Sequence, residues 1–238
     1  MQQTIQQIPL PSKWEELQKC PVLVINLERC PERYTAAHEA LKTNGFKNII
    51  KFVAVDGQDP DMPKEWEAFG NPPLIEPEFK ERPAKQGCAL SHLKAWLWAA
   101  TKSDAPAVTI VEDDILFDSR FRDVAPVLYS ETPKDIGMLF YGGQYAPTTN
   151  AIQAAPVICM HAYTITKQAA VQLLVTFLHC GGMATIDLMV FNMMTQGVFP
   201  VQWRVWSNLG DKQGVPPNAI RDSGFVFQNK DYPSTIDG

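Results

Sequence analysis

The chain has no C-x-x-C pair, no apolar run of membrane length, few histidines and no excess of positive charge, and each gap removes a class of protein. Its five cysteines stand at 20, 30, 88, 159 and 180. An odd count without metal-ligand spacing speaks against a disulfide framework or a structural zinc site, so buried free thiols are expected. No run approaches the roughly 18–20 apolar residues that span a bilayer. Met1 to Trp14 is Gln-rich with two prolines and lacks the basic and apolar regions of a signal peptide. The expectation is a soluble, cytoplasmic protein in a reducing compartment. A net charge of −5 offers no global basic face for nucleic acid, although a local basic groove is compatible with that total. What remains is a chain of 238 residues, 45% hydrophobic and 20% charged, which is enough for one large domain with a real core.

The pattern of runs and breaks predicts an α/β fold read as a single domain over residues 1–238. Residues 1–20 read as a peripheral lead-in, with a short helix around 13–19. Pro21–Leu27 (PVLVINL) is a continuous apolar run of strand length, suited to a strand buried on both faces. Pro31-Glu32 then opens a helix whose stripe is Tyr34, Ala37, His38 and Leu41, with Gly45 as its C-cap. Ile49–Val55 is a second strand, which makes a right-handed β-α-β unit. Residues 58–84 are broken by prolines 60, 63, 72, 73, 77 and 83 and read as a long surface excursion. A helix over 87–101 follows, with Leu90, Leu93, Leu97 and Ala100 as its apolar face. Further strands are expected at 107–111, 136–141, 157–165 and 198–206, with helices at 167–179 and 187–196. Residues 210–238 read as an irregular tail.

Four features carry chemistry. Glu112-Asp113-Asp114 stands at the carboxyl end of a buried strand, where open α/β sheets bind ligands. Its hard oxygens suit Mg²⁺ or Mn²⁺, which can bridge carboxylate and diphosphate. Alternation along an extended turn aims Glu112 and Asp114 one way and Asp113 the other. The bland alternative is a solvated acidic turn. Asn26-Leu27 also ends a strand, and Arg29 and Arg33 follow one helical turn apart, placed either to fork onto phosphate or to pair with Glu28 and Glu32. Gly87–His92 (GCALSH) opens a helix, so its free N–H groups could face an anion, with Ser91 and His92 off the leucine stripe. Cys88 and His92 at i, i+4 raise zinc or a thiol nucleophile, but no further ligand sits at metal spacing. Asp187 begins an apolar helix and is the only acid between Asp135 and Asp211. It suits either an N-cap or a base that deprotonates a hydroxyl.

Taken in order, VINLERCPER (24–33), FVAVDG (52–57), GCALSH (87–92) and VTIVEDDILF (108–117) resemble glycosyltransferase family 25, the lipooligosaccharide and collagen-type galactosyltransferase group. Weaker echoes follow at 161–174, 185–189 and 199–208. The resemblance implies a GT-A-like, Rossmann-type, mostly parallel sheet flanked by helices. It implies Mn²⁺ or Mg²⁺, a nucleotide-sugar donor of the UDP-sugar kind, and inversion at the anomeric carbon. Residues 24–33, which include Asn26, Leu27, Arg29 and Arg33, would line the nucleotide with Asp56 and Gly57. Glu112 and Asp114 would serve ribose and metal with Asp113 beside them, Ser91 and His92 would lie at the donor, and Asp187 would be the base.

Three positions depart from the family pattern. Lys85-Gln86 replaces an acid, Asn208 stands where an aspartate often follows serine, and no histidine lies beyond His179, leaving Asp211 as a weak substitute ligand. The acceptor reads by default as a saccharide. A protein hydroxyl or a hydroxylated base in viral DNA stays open, as do a non-catalytic nucleotide-sugar binding module and a metal-dependent hydrolase or phosphotransferase. The oligomeric state is not readable.

Overall fold

The structure is a computed structural model that describes residues 8–145, 150–219 and 223–232. In chain order its elements are α1 (Trp14–Leu17), β1 (Pro21–Asn26), α2 (Pro31–Thr43), β2 (Asn48–Val53), α3 (Met62–Glu65), α4 (Pro77–Glu81), α5 (Pro83–Thr101), β3 (Ala107–Glu112), β4 (Ile115–Phe117) and α6 (Phe121–Glu131). Then come β5 (Met138–Phe140), β6 (Gly142–Tyr145), β7 (Ile152–Gln153), β8 (Val157–Ile158), β9 (Ala162–Thr166), α7 (Lys167–His179), α8 (Ile186–Thr195), β10 (Trp203–Trp206), β11 (Ser223–Gly224) and β12 (Val226–Gln228).

The main sheet has the order β2-β1-β3-β9-β5-β10-β7. β1 runs parallel to β2 and β3, β10 runs parallel to β5, and β9 and β7 run against their neighbours. The sheet is therefore mixed but largely parallel, as expected of the α/β class. The run expected as one strand over 157–165 is broken at Cys159, whose φ is 77°. β8 leaves there to pair with β6, and β9 enters the main sheet reversed.

Successive strand residues face opposite sides, and both sides are covered. Leu23, Ile25, Val108, Ile110, Met138 and Phe140 face one core, against Leu90, Leu93 and Trp96 of α5, α7 and α8. Val22, Val24, Val111, Leu139 and Tyr141 face the other, against α2 and α6. β1 is buried along its whole length, whereas β2, at the sheet edge, is half exposed.

Several sequence expectations need correction. α5 starts at Pro83, not at Gly87, because Pro83 supplies the first-turn position that needs no N–H. Leu97, assigned to its apolar face, is exposed, while Trp96 is fully buried. The lead-in is not peripheral in its described part, since Leu10, Trp14 and Leu17 are all buried. The Trp14 indole packs against Phe46, Phe121, Tyr129, Tyr141 and Trp206. The Pro-rich excursion carries α3, α4 and a 3₁₀ turn at Glu67–Phe69, with Met62, Trp66, Phe69 and Phe79 buried in the first core. The last strand of the main sheet is shorter than expected, running from Trp203 to Trp206. The tail supplies two strands: β12 pairs with β4 and β11 pairs with β6. The α2 C-cap is Asn44, one residue earlier than expected, and Gly45 follows it at φ 91°.

Because Trp14 holds five other aromatic rings together, Trp14→Ala is expected to cost about 3–5 kcal/mol. Urea denaturation measures this, and a loss below about 1 kcal/mol would mean that residues 8–17 are dispensable to the core.

Candidate active site

The carboxyl ends of β1, β2 and β3, the first half of α5 and the start of α8 enclose one cleft of about 530 Å³. Of the residues singled out in the sequence, Leu27, Arg29, Arg33, Asp56, Gly57, Ser91, His92, Glu112, Asp113, Asp114 and Asp187 all line it. Asn26 lies directly beneath, fully buried at the end of β1.

Asn26 and Arg33 hold the acid triplet. Asn26 Nδ2 donates to Asp113 Oδ2 at 2.6 Å and to the Cys30 carbonyl at 2.8 Å. Arg33 Nη2 lies 2.5 Å from Asp113 Oδ1 and 3.4 Å from Asp114 Oδ2. Arg33 is nearly buried, so its charge is poorly screened and its partners are fixed. Neither arginine pairs as the bland alternative had it. Arg33 holds the triplet, and Arg29 reaches Asp56, with Nε 2.7 Å from Oδ2. That contact, before any other, brings the Asp56 carboxyl below its ordinary range. Arg29 and Asp56 thus join the exits of β1 and β2 at the rim of the cleft.

The strict alternation expected of the triplet fails, because Asp113 and Asp114 form a turn and both reach Arg33. Asp113 is consumed by Asn26 and Arg33. Glu112 stands apart from them. Its Oε1 is 3.4 Å from His92 Nε2, and its Oε2 accepts from Gln228 Nε2 at 3.3 Å. Three buried polar atoms here have no partner: Asn26 Oδ1, Arg33 Nε and Asp114 Oδ1. Such atoms cost free energy unless something meets them, and their concentration under one cleft points to a polar ligand.

The same crowding shifts the acids. Burial and the neighbouring Glu112 charge push Asp114 up to about 8, against the pull of Arg33. Burial also raises Asp113, with Arg33 and Asn26 opposing it. For Glu112, burial alone would raise the carboxyl, but His92, His161 and Arg33 bring it below its ordinary value. Burial raises the Cys88 thiol well above its usual range, and the carboxylates of Glu112, Asp187 and Asp114 add to that.

The helix that carries Ser91 and His92 borders the cleft with its true first turn, Ala84 and Lys85, and not with Gly87. Since α5 begins at Pro83, Gly87 lies in its second turn, and the anion site expected there is absent. Gly87 serves close packing instead: a Cβ on it would stand 2.5 Å from the Val55 carbonyl oxygen, and one on Gly57 would stand 2.3 Å from that of Pro83. Ser91 ties the same joint. Its hydroxyl donates to the Gly87 carbonyl at 2.7 Å and accepts from Val55 N–H at 2.8 Å. His92 Nδ1 contacts Tyr163 Oη at 2.9 Å, and Trp96 Nε1–H donates to that same oxygen at 2.8 Å. With Trp96 only able to donate, the Tyr163 proton is available to His92 Nδ1, which leaves Nε2–H to face Glu112.

Asp187 is the second residue of α8 and not its N-cap, which is Thr185. Thr185 directs its hydroxyl to Glu76 Oε2 at 2.9 Å instead of capping the helix. Burial first, with the Glu112 charge adding to it, holds the Asp187 carboxyl above its ordinary range, against the Leu188 N–H bond that opposes it. Asp187 is thus not the N-cap residue itself, but its Oδ1 accepts from Leu188 N–H at 2.9 Å, so it still meets one of the donors of the helix's first turn.

Sequence reasoning missed Gln228, Asn229 and Tyr232, which close the cleft from the tail. Asn229 N–H donates to the Asp114 carbonyl at 2.7 Å, and the Arg33 guanidinium lies 5.2 Å from the centre of the Tyr232 ring. The short apolar run Phe225-Val226-Phe227 was the one signal of a strand there. Met160 and Lys85 also line the cleft. Asp211 does not reach it. Its Oδ2 is 2.5 Å from Arg120 Nη1, which excludes it as the late metal ligand. Asn208 lies outside too, its Oδ1 accepting from Gly210 N–H.

An open α/β sheet with a cleft over the carboxyl ends of its strands is the architecture in which ligands bind at that edge. Residues 19–155 match glycosyltransferase family 25, described as an LPS biosynthesis protein, and the chain belongs to that family. Among solved structures it is similar to a galactosyltransferase, LgtC, in complex with donor and acceptor sugar analogs. The identity is 10% and the TM-score 0.35, over 74% of this chain and 70% of that one. No curated protein matches the chain at a significant level. Among the described residues, no helix is long and apolar enough to cross a membrane.

The Asp114 shift has a measurable consequence. Without a bound cation, Asp114 keeps its proton up to about 8 when folded, and loses it near the ordinary carboxylate value of 3.8 when unfolded. Stability contributed by this group therefore falls as pH rises through that window. Asp114→Asn removes the dependence. The variant is expected to be more stable than the parent at pH 8 and to match it near pH 4. Urea titration at both pH values checks this, and a variant no more stable than the parent at pH 8 would refute it.

Proposed function

We propose that this family 25 glycosyltransferase moves a hexose from a UDP-sugar to a hydroxyl acceptor, with inversion and with the help of a divalent cation. The observation that carries the reading is the unpaired, buried Asp114 Oδ1 beside Glu112, on the same cleft as Asp187.

The donor set fits a hard cation. Two carboxylates are available, one with an oxygen that nothing in the chain meets, and Arg33 limits the repulsion between them. Glu112 and Asp114 would hold Mn²⁺ or Mg²⁺. Bound there, the ion would offset charge on the departing diphosphate. The chain's own residues do the rest. Asn26 and Arg33 fix the acid turn. Leu27, Arg29, Asp56 and Gly57 form the wall on which the nucleotide rests, with Arg29 held in place by Asp56. Ser91 and His92 support the floor. Asp187, whose raised proton affinity suits a base, accepts the acceptor's hydroxyl proton as the oxygen attacks the anomeric carbon from the face opposite the diphosphate.

The acceptor is proposed to be a saccharide. Asn208, the residue that kept a non-catalytic binding module in view, lies outside the cleft and gives that alternative no support.

Two experiments test the reading. A thermal-shift panel of UDP-, GDP- and CMP-sugars with Mn²⁺ is expected to show a rise in melting temperature for a UDP-sugar, since bound ligand stabilises by mass action. No response from any donor would count against it. Asp187→Asn is expected to lower turnover by roughly 10²–10⁴-fold with the donor-induced shift retained. Turnover at the parent's rate would remove Asp187 as the base.

A further inference from the structure

Sharing Glu112 with the hard-oxygen pair is a second donor set of different chemistry. Cys88 Sγ, a His92 ring nitrogen and a Glu112 carboxylate oxygen all stand within 4.8 Å of one another. Cys88 and His92 are one turn apart on α5, and Glu112 is the last residue of β3. All three line the cleft, so the group is open to solvent from one side. Zinc bonds of roughly 2.0–2.3 Å to nitrogen, oxygen and sulfur need donors a little closer than this.

An independent observation concerns the ring of His92. A histidine ligand is normally held through its second nitrogen by a hydrogen-bond partner that sets its tautomer and plane. His92 has that partner in Tyr163 Oη, 2.9 Å from Nδ1, and Tyr163 is anchored in turn by Trp96 Nε1–H. Nε2 is thereby aimed at Glu112. Thiol and imidazole together select zinc-like cations over Mg²⁺ or Mn²⁺.

We infer that Cys88, His92 and Glu112 form a binding site for a thiophilic divalent cation such as Zn²⁺, with its fourth position open to the cleft, and that filling it inhibits the enzyme by taking Glu112 from the hard cation. On binding, Cys88 gives up its thiol proton to solvent and forms a metal–sulfur bond. His92 keeps one proton, which moves from Nε2 to Nδ1 by exchange with solvent; the Tyr163 hydroxyl turns its own proton away from Nδ1 to accept it, and His92 binds through Nε2. No electron changes hands. The binding claim stands without the transferase reading, and only the inhibitory consequence rests on it.

The test uses the metal-free protein titrated with Co²⁺. The expected result is a thiolate-to-cobalt charge-transfer band in the near ultraviolet that saturates at one equivalent and is abolished by one equivalent of Zn²⁺. Cys88→Ser should lose the band while its near-ultraviolet circular dichroism stays that of the parent. Cys180→Ser, at an exposed thiol away from the cleft, should keep it. Tyr163→Phe should weaken cobalt binding roughly 10-fold or more. Absence of the band in the parent, or its survival in Cys88→Ser, would overturn the site. If the band behaves as expected but Zn²⁺ leaves sugar transfer unchanged, the inhibitory role is overturned. Failure to detect transfer with any donor would bear on the proposed function alone, because the absorption signal does not depend on it.

Discussion

Three consecutive carboxylates at the end of a buried strand repel one another, and the burial of one guanidinium beside them makes the arrangement tolerable. Arg33 reaches both Asp113 and Asp114 from the first turns of α2, while Asn26 takes the remaining oxygen of Asp113 from the end of β1. A charge pair removed from water is costly to break, so this clamp fixes the β1–α2 corner to the β3 turn. The rest of the cleft is hung on that junction. β12 pairs with β4 just past the turn, Asn229 hydrogen-bonds the Asp114 carbonyl, and Tyr232 covers Arg33. The clamp satisfies Asp113 fully and Asp114 only in part. That difference separates a structural acid from one left free to meet a ligand.

A second joint sets the opposite wall. Gly57 and Gly87 let the exit of β2 lie directly on α5, and Ser91 bonds both sides of the contact. Ser91 and Asn26 therefore act on the cleft mainly by holding backbone in place. Below them, the chain from Trp96 through Tyr163 to His92 carries order from the first core to Glu112. The aromatic residues that make the core and the acids that make the cleft are in this way one connected structure.

Much of this was legible in the sequence, for identifiable reasons. A strand buried on both faces is a solid apolar run, so β1 and β3 and the polar residues at their ends could be placed. Proline at 31 and glycine at 45 bracket α2 in plain view. The start of α5 was misplaced because Gly87 looks like a boundary, whereas it marks a close approach between backbones. The roles of Arg33 and Ser91 were hidden because their partners lie far away in sequence: Asp113 is 80 positions from Arg33, and Val55 is 36 from Ser91. The tail was unreadable because β11 and β12 are short and make sense only against strands formed much earlier in the chain. Trp14 gave no signal either, since its aromatic neighbours come from four separate segments.

The central claim is that Glu112 and Asp114 make a cation-dependent donor site in a family 25 glycosyltransferase. Calorimetric titration of a UDP-hexose into the parent and into Asp114→Ala, each with Mn²⁺ and with EDTA, tests it most directly. Saturable binding by the parent in Mn²⁺, lost in EDTA and in Asp114→Ala, is the predicted result. Binding of equal strength under all four conditions would contradict it.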